Sequence, residues 1–225
     1  MGVFFALLII SLWGGHLAYI LTSVEIAFSN PWMYLHILIQ AYLYTGLFIT
    51  GHDAMHGTVS SSKKLNEFLG FLAVFLFAGL SYKKLKINHG KHHKYVATEK
   101  DPDYYTGNQN FFIWWGSFMW HYLTVMQILI MAAVFNVFVH LFQLPEANVI
   151  LFWVVPAFLG TFQLFYVGTF LPHRRPHEGF MQPHKARTQK KNHLWAMLSC
   201  YFFGYHYEHH ESPSTPWWQL YKSKE

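Results

Sequence analysis

The sequence predicts an all-α integral membrane protein, with four transmembrane helices, additional interfacial helices and a histidine-rich cap on the cytoplasmic side. Three observations lead there. The 225 residues are 53% hydrophobic and only 12% charged, about half the charged share of roughly a quarter found in soluble domains. Four uncharged apolar stretches approach or exceed the roughly 20 residues that a helix needs to cross a hydrocarbon core. All 16 lysines and arginines lie within residues 51–116 and 172–225, and none lies in the short connections at 23–31 and 142–148.

Residues 3–22 form the first span. The apolar run starts without a basic flank and ends without a small-residue cleavage site, so a span is expected rather than a cleavable signal. A connection with Glu25, Ser29, Asn30 and Pro31 leads to the second span, residues 32–50, which delivers the chain to Gly51-His52-Asp53-Ala54-Met55-His56-Gly57. The apolar run 68–80, flanked by Lys63, Lys64, Glu67, Lys83, Lys84 and Lys86, is too short to cross and reads as interfacial or re-entrant. A crossing there would also put His52 and His56 on the opposite side from His89, His92 and His93.

A polar stretch with Asp101-Pro102-Asp103 and Gly107 reads as loop. Spans three and four are expected over 117–141 and 149–171, joined by a turn holding Pro145, Glu146 and Asn148, with Pro156 kinking the last. Beyond Pro172 the chain is basic and polar to Lys191. The apolar run 194–204 is again too short to span. Trp217, Trp218 and Tyr221 read as an aromatic belt at the membrane interface.

By the positive-inside rule both basic segments are cytoplasmic. Four spans then place both termini and every histidine cluster on one face. The whole chain, 1–225, reads as one domain. The net charge of +5 follows from this topology, and no soluble recognition fold accompanies it, so a nucleic-acid partner is excluded. One cysteine, Cys200, excludes an internal disulfide framework and a C-x-x-C zinc motif.

The chemistry lies in the 16 histidines. His52 and His56 form H-x-x-x-H; His89, His92 and His93 form H-x-x-H-H; His206, His209 and His210 repeat it. Residues three and four apart share one helix face, so each cluster aims imidazoles at one point. Neutral imidazole suits iron, zinc or copper. His173, at the cytoplasmic end of the fourth span, faces the same region and joins them as a candidate ligand. Asp53, Asp101, Asp103 and Glu208 are candidates to orient the imidazole N–H groups. His16, His36, His121 and His140 lie in or beside spans without spaced partners and read as interhelical or interfacial. His177, His184 and His193 lie in the basic loop and read as solvated.

These clusters, with Thr45-Gly46-Leu47-Phe48-Ile49-Thr50 before the first, Asp101-Pro102-Asp103-Tyr104, Gly168-Thr169-Phe170-Leu171-Pro172-His173 and Phe203-Gly204-Tyr205 before the third, resemble the membrane-bound histidine-box oxygenases and desaturases. Within that superfamily the chain is similar to the beta-carotene ketolases of bacterial and cyanobacterial type, over nearly its whole length. Tyr104 stands where members of that family often carry Phe.

The resemblance implies a di-iron cap with two iron ions and molecular oxygen as co-substrate. It implies a carotenoid substrate taken from the bilayer and converted from a carbon-4 methylene to a ketone. No dinucleotide fingerprint is present, so an external reductant such as ferredoxin is implied, and Lys83, Lys84, Lys86, Arg174 and Arg175 would suit an acidic donor. The aromatic stretches that would line a path for the substrate are Phe111, Phe112, Trp114 and Trp115, with Phe165 and Tyr166. Rival readings are a carotenoid hydroxylase or fatty-acyl desaturase on the same scaffold, and a non-catalytic membrane metal carrier.

Overall fold

A computed structural model of the chain describes residues 1–224, and among them there are helices and no strand. The first helix, α1 (Gly2–Ser23), buries Ala6, Ile9, Trp13, Leu17 and Ile20 at three- and four-residue spacing, while Phe4, Leu7, Leu12 and Tyr19 are exposed. An exposed face this apolar suits hydrocarbon rather than water. In α2 (Pro31–Met55) the Asn30 side chain accepts from Trp32 N at 3.1 Å and Pro31 fills the first turn, where a missing N–H costs nothing. From Leu43 to Ala54 only Phe48 is not fully buried, because α2 is the central post that the other helices surround.

Against it lies α3 (Lys63–Ala78). The contact is close at two glycines: a Cβ on Gly51 would sit 2.3 Å from Val74 Cγ1, and one on Gly70 would sit 2.6 Å from the Ala54 Cβ. Gly79, at φ +64°, then ends α3, its N–H bonding the Phe75 carbonyl, the left-handed cap that glycine adopts without steric cost. Ser81 caps α4 (Tyr82–Tyr95), which departs at 100° to α3. The apolar run 68–80 therefore ends at a sharp bend and does not continue as a straight helix.

A sharper difference follows. The span expected over 117–141 is not one helix but two, α5 (Phe111–Tyr122) and α6 (Val125–Leu141), meeting at 89°. Leu123 and Thr124 are extended there, and the Thr124 hydroxyl accepts from Gln127 N at 3.1 Å, so a side-chain cap starts a new helix inside an unbroken apolar run. Hydropathy does not register such a cap. No residue of α6 is buried and Val125 is 74% exposed, placing it on the periphery. Among the described residues, three helices are thus individually long and apolar enough to cross a membrane: α1, α2 and α7 (Glu146–His173).

Helix α7 passes Pro156 without a break. A π turn at Ile150–Val154 precedes the proline, widening the helix where the ring cannot donate a hydrogen bond. A second π turn, Tyr166–Phe170, precedes His173. Helix α7 is tied to α2 by the Thr45 hydroxyl donating to Gln163 Oε1 at 2.5 Å, and the Gln163 amide donates to the Ser199 carbonyl at 2.6 Å.

The remaining chain forms the cap: α8 (His193–Cys200), α9 (His206–Glu211) and α10 (Trp217–Leu220). Tyr201 and Phe202, both with positive φ, turn the run 194–204 back so that α9 lies over the end of α2. Trp217, expected at the membrane interface, is instead buried. Its ring packs on Phe5 and Tyr201, and its backbone N–H donates to Asp53 Oδ2 at 3.0 Å, so it locks the chain end onto α1 and α2. His16 bridges Gln40 at 2.6 Å and His36 at 3.1 Å, an interhelical polar contact that satisfies groups costly to leave bare among apolar helices.

Single cysteines introduced at Ser61 and at Lys91, with native Cys200 buried, are expected to react with a membrane-impermeant reagent from the same side of sealed vesicles. Labelling from opposite sides would contradict a re-entrant α3.

Candidate metal centre

Each histidine cluster is carried by a helix end or a short helix. His52 and His56 lie one turn apart where α2 ends; His89, His92 and His93 lie on α4; His173 is the last residue of α7; His206, His209 and His210 lie on α9. Tyr82, Leu85, His89 and His92 share the inner face of α4, while Lys83, Ile87, Gly90, Lys91 and Lys94 are exposed on the other. The nine imidazoles converge in two groups, each with its nitrogens mutually within 4.8 Å. One group is His52, His56, His89, His93 and His209; the other is His92, His173, His206 and His210.

The partition is reciprocal. In each H-x-x-H-H cluster the i, i+4 pair enters one group and the middle histidine the other: His89 and His93 are joined by His209, whereas His206 and His210 are joined by His92. Two short helices lying face to face produce this exchange, because a residue at i+3 is rotated to the opposite flank of the shared face from its i+4 neighbour. The two groups are thereby interlocked.

Their nitrogens face one another. Nε2 separations are 2.7 Å for His56–His89, 3.0 Å for His89–His93, 3.1 Å for His93–His209, 3.2 Å for His92–His210, 2.9 Å for His173–His206 and 3.1 Å for His206–His210. Neutral imidazole has one N–H and one lone pair. The His92 ring presents Nδ1 to Asp101 at 3.0 Å and that of His173 presents Nδ1 to the Lys185 carbonyl at 3.0 Å, which fixes their protons there and turns lone pairs inward. Both ring nitrogens of His52, and Nδ1 of His206, are buried without a hydrogen-bond partner among the described residues. Converging lone pairs and orphaned nitrogens in a dry site are unfavourable unless a cation sits among them. Metal–nitrogen bonds of about 2.0–2.1 Å at near-right angles hold nitrogens about 3 Å apart, so the donor set fits metal ions.

Burial favours the neutral, ligating form. It pushes His56 down to about 4 and His93 to about 2, with Lys86 and neighbouring histidines adding to it, and lowers His89, His206, His209 and His210 likewise. His92 goes the other way. Burial would lower it, but the hydrogen bond and charge of Asp101, helped by Asp103, raise it.

The candidate orienting carboxylates divide. Asp101, itself held by the N–H groups of Ala97 and Asp103, grips His92. Asp103 lies 3.9 Å from His92 and accepts from the Tyr122 hydroxyl; burial raises its carboxyl to about 6. Asp53 lies 3.5 Å from His52 and accepts from Trp217 N. Glu208 does not reach any clustered histidine. It accepts from Thr188 at 2.6 Å and Lys224 at 2.8 Å, because a residue two past His206 points to the opposite side of α9. The sequence carried no sign of the Lys185 carbonyl as partner of His173; a backbone acceptor from a loop leaves no trace in residue types. His177 donates from Nε2 to the His173 carbonyl at 2.8 Å, His184 meets Glu211 at 2.7 Å and His193 meets Tyr205.

An apolar cavity of about 120 Å³ ends on the histidines. Phe48, Phe77, Phe118, Met119, Leu123, Leu164, Phe165 and Phe203 form its walls, and His52, His89, His92, His206, Asp103, Tyr122, Gln127, Thr161 and Thr169 also line it. Of the six aromatic residues expected along a substrate path, only Phe165 lines it. Phe111 and Trp114 pack into a cluster with Phe165 and Phe170, Trp115 stacks on Phe162 at 4.3 Å, Tyr166 is exposed beside Phe170, and Phe112 is 68% exposed. The cavity is lined one to two turns further along α5, by Phe118, Met119 and Tyr122, while Trp114 and Phe118 pack α5 onto Phe165 of α7. The π turn in α7 opens Gly168 and Thr169 onto it, and a Cβ on Gly168 would sit 2.5 Å from the Phe203 ring, which itself lies against His52 and His206.

The profile of the fatty acid desaturase family matches residues 29–132 and 109–224. The chain belongs to that family of membrane proteins. Among its relatives, the zeaxanthin 4-ketolase of Chlamydomonas reinhardtii is 37% identical over all of this chain and 53% of its own length. The beta-carotene ketolase of Haematococcus lacustris is 38% identical over 81% of this chain and 59% of its own, and that of Paracoccus sp. (strain PC1) is 38% identical over 80% and 74%. The chain thus spans little more than half the length of the algal relatives. No solved structure matches it.

The titrations set a testable pH dependence. An unfolded histidine titrates near 6.5, so as pH falls below that value the unfolded chain takes up protons that native His56 and His93, at about 4 and about 2, do not, and stability falls with it. His92, raised, and Asp103, raised to about 6, oppose this but are outnumbered by the lowered rings. Metal-free protein in detergent is expected to melt at a lower temperature at pH 5 than at pH 7.5; an equal or higher midpoint at pH 5 would contradict the burial of neutral imidazoles.

Proposed function

We propose that the protein is a beta-carotene 4-ketolase that uses two iron ions, molecular oxygen and an external reductant to convert the ring methylene at carbon 4 to a ketone. The observation that carries the reading is the apolar cavity ending on His52, His89, His92 and His206, residues drawn from both imidazole groups. Similarity to ketolases over most of the chain supports the substrate class.

In this reading His52, His56, His89, His93 and His209 hold one iron, and His92, His173, His206 and His210 the other. Bound iron supplies the activation of dioxygen that oxidation of an allylic C–H bond requires. The chain does the rest. Asp101 holds the His92 ring in one orientation and tautomer, and the Lys185 carbonyl does so for His173, the outer support that ligating histidines ordinarily have. Phe48, Phe77, Phe118, Leu164 and Phe203 exclude water and present an apolar slot to a hydrocarbon ring. Two hydroxylations at the same carbon give a geminal diol, and loss of water gives the ketone. The Tyr122 hydroxyl donates to Asp103 on the cavity wall.

A carotenoid has no useful concentration in water, so it enters from the bilayer. We place α1, α2, α6 and α7 as the four spans, with both termini and the imidazole cap in the cytoplasm, which sets all the lysines and arginines on that side. Electrons come from a soluble carrier such as ferredoxin.

Expression in a host that makes only beta-carotene is expected to yield echinenone and canthaxanthin in an oxygen-dependent manner. Zeaxanthin alone would identify a hydroxylase, and a new double bond in acyl lipids a desaturase. Alanine at His52, His56, His89, His92, His93, His206, His209 or His210 is expected to abolish ketone formation and lower bound iron while leaving membrane insertion intact; full activity in two such variants would overturn the ligand assignment. His173→Ala is expected to lose iron from the four-histidine group, and unchanged iron content with activity would remove His173 alone.

A further inference from the structure

We propose that the outward face of α4, centred on Gly90, is the docking surface for an acidic one-electron carrier protein; this rests on the reading above, in which the metal centre must be reduced from outside. The inner face of α4 carries His89, His92 and His93, whereas Lys83, Ile87, Gly90, Lys91 and Lys94 are exposed on the outer face, with Ile87 half exposed. No carboxylate lies on α4. A partner resting there is separated from three metal-facing imidazoles by the thickness of one helix.

Gly90 has no role within the fold. A Cβ there would meet nothing within 4 Å, and glycine inside a helix costs about 1 kcal/mol relative to alanine. A bare backbone lets another molecule approach closely, and it does so at the point of α4 between His89 and His92. The exposure of the imidazoles agrees. His56, His89 and His93 of the five-histidine group are partly exposed, whereas all four of the other group are buried, so the five-histidine group is the one open to a partner.

The lysines around Gly90 are also the free ones. Lys84 donates to the His121 carbonyl, Lys86 pairs with Glu67 and Arg175 donates to the carbonyls of Thr106 and Gly107, so the basic face expected at Lys83, Lys84, Lys86, Arg174 and Arg175 is largely occupied with structural contacts. Lys83 and Lys91 make no ion pair among the described residues. Lys94 lies over its neighbour Tyr95, which leaves its charge uncompensated. Three uncompensated cations around a small apolar centre complement an acidic protein surface and raise its encounter rate. An anionic lipid surface is attracted by the same charges, but it would cover the shortest approach to the metal ligands.

The test uses the full chain, iron-loaded, in nanodiscs of neutral phosphatidylcholine, with an acidic [2Fe–2S] ferredoxin as probe. Lys91→Glu with Lys94→Glu is expected to weaken probe binding by about tenfold or more and to flatten its dependence on salt, while the control Lys190→Glu with Lys191→Glu, exposed on a different loop, leaves it unchanged. Gly90→Leu is expected to slow reduction of the iron by saturating ferredoxin while reduction by dithionite keeps its wild-type rate. Binding unchanged in the α4 double variant, or a loss confined to anionic vesicles with ferredoxin binding intact, would overturn the proposal. The binding and reduction readouts need no carotenoid: a chain that binds ferredoxin through α4 yet makes no ketone when given beta-carotene, reduced ferredoxin and oxygen would refute the ketolase reading alone.

Discussion

Nine imidazoles, six of them buried, that point their nitrogens at one another cannot stand without something positive between them, and the rest of the molecule is arranged to hold them so. The rings come from four separate elements, α2, α4, the end of α7 and α9, and their Nε2 atoms approach to 2.7–3.2 Å. Burial keeps them neutral and ligation-competent; Asp101 and the Lys185 carbonyl turn the lone pairs of His92 and His173 inward. The interlocked partition makes the two groups one unit: α4 and α9 each contribute to both, so neither group can form while the other helix is misplaced.

That constraint explains several features that look unrelated. The chain bends by 100° between α3 and α4, at Gly79, which brings α4 back to where α2 ends. The glycines at 51 and 70 let α3 lie so close to α2 that Tyr82, at the start of α4, is held against their contact. Trp217 pins the chain end to Asp53 beside His52, fixing the last segment of the cap. The π turn before His173 and the bare Gly168 make room for Phe203, which backs both His52 and His206.

Much of this could be read from residue types and spacing. The i, i+3 and i+4 positions of the histidines marked which rings act together, and the distribution of lysines and arginines, with the shortness of 68–80, placed them on one side. Which ring goes to which group was not legible, since the exchange of His92 and His209 depends on how α4 and α9 face one another. The break at Thr124 was hidden because a threonine cap inside an apolar run leaves hydropathy unchanged, and the cavity lining at Phe118 and Tyr122 was missed because aromatic content alone pointed to Phe111 and Trp114. Glu208 failed as an orienting carboxylate for a reason the sequence did contain, since position 208 lies opposite the face shared by 206, 209 and 210. Trp217 was misread because aromatic residues near a chain end serve an interface and a core equally well.

The central claim is the division of the imidazoles between two ions. Anomalous diffraction at the iron edge from the iron-loaded protein tests it most directly. The account predicts two iron peaks, one enclosed by His52, His56, His89, His93 and His209, the other by His92, His173, His206 and His210, with no carboxylate from Asp53, Asp101, Asp103 or Glu208 bound to either. A single peak, or two peaks whose ligands regroup each H-x-x-H-H cluster around its own ion, would contradict it.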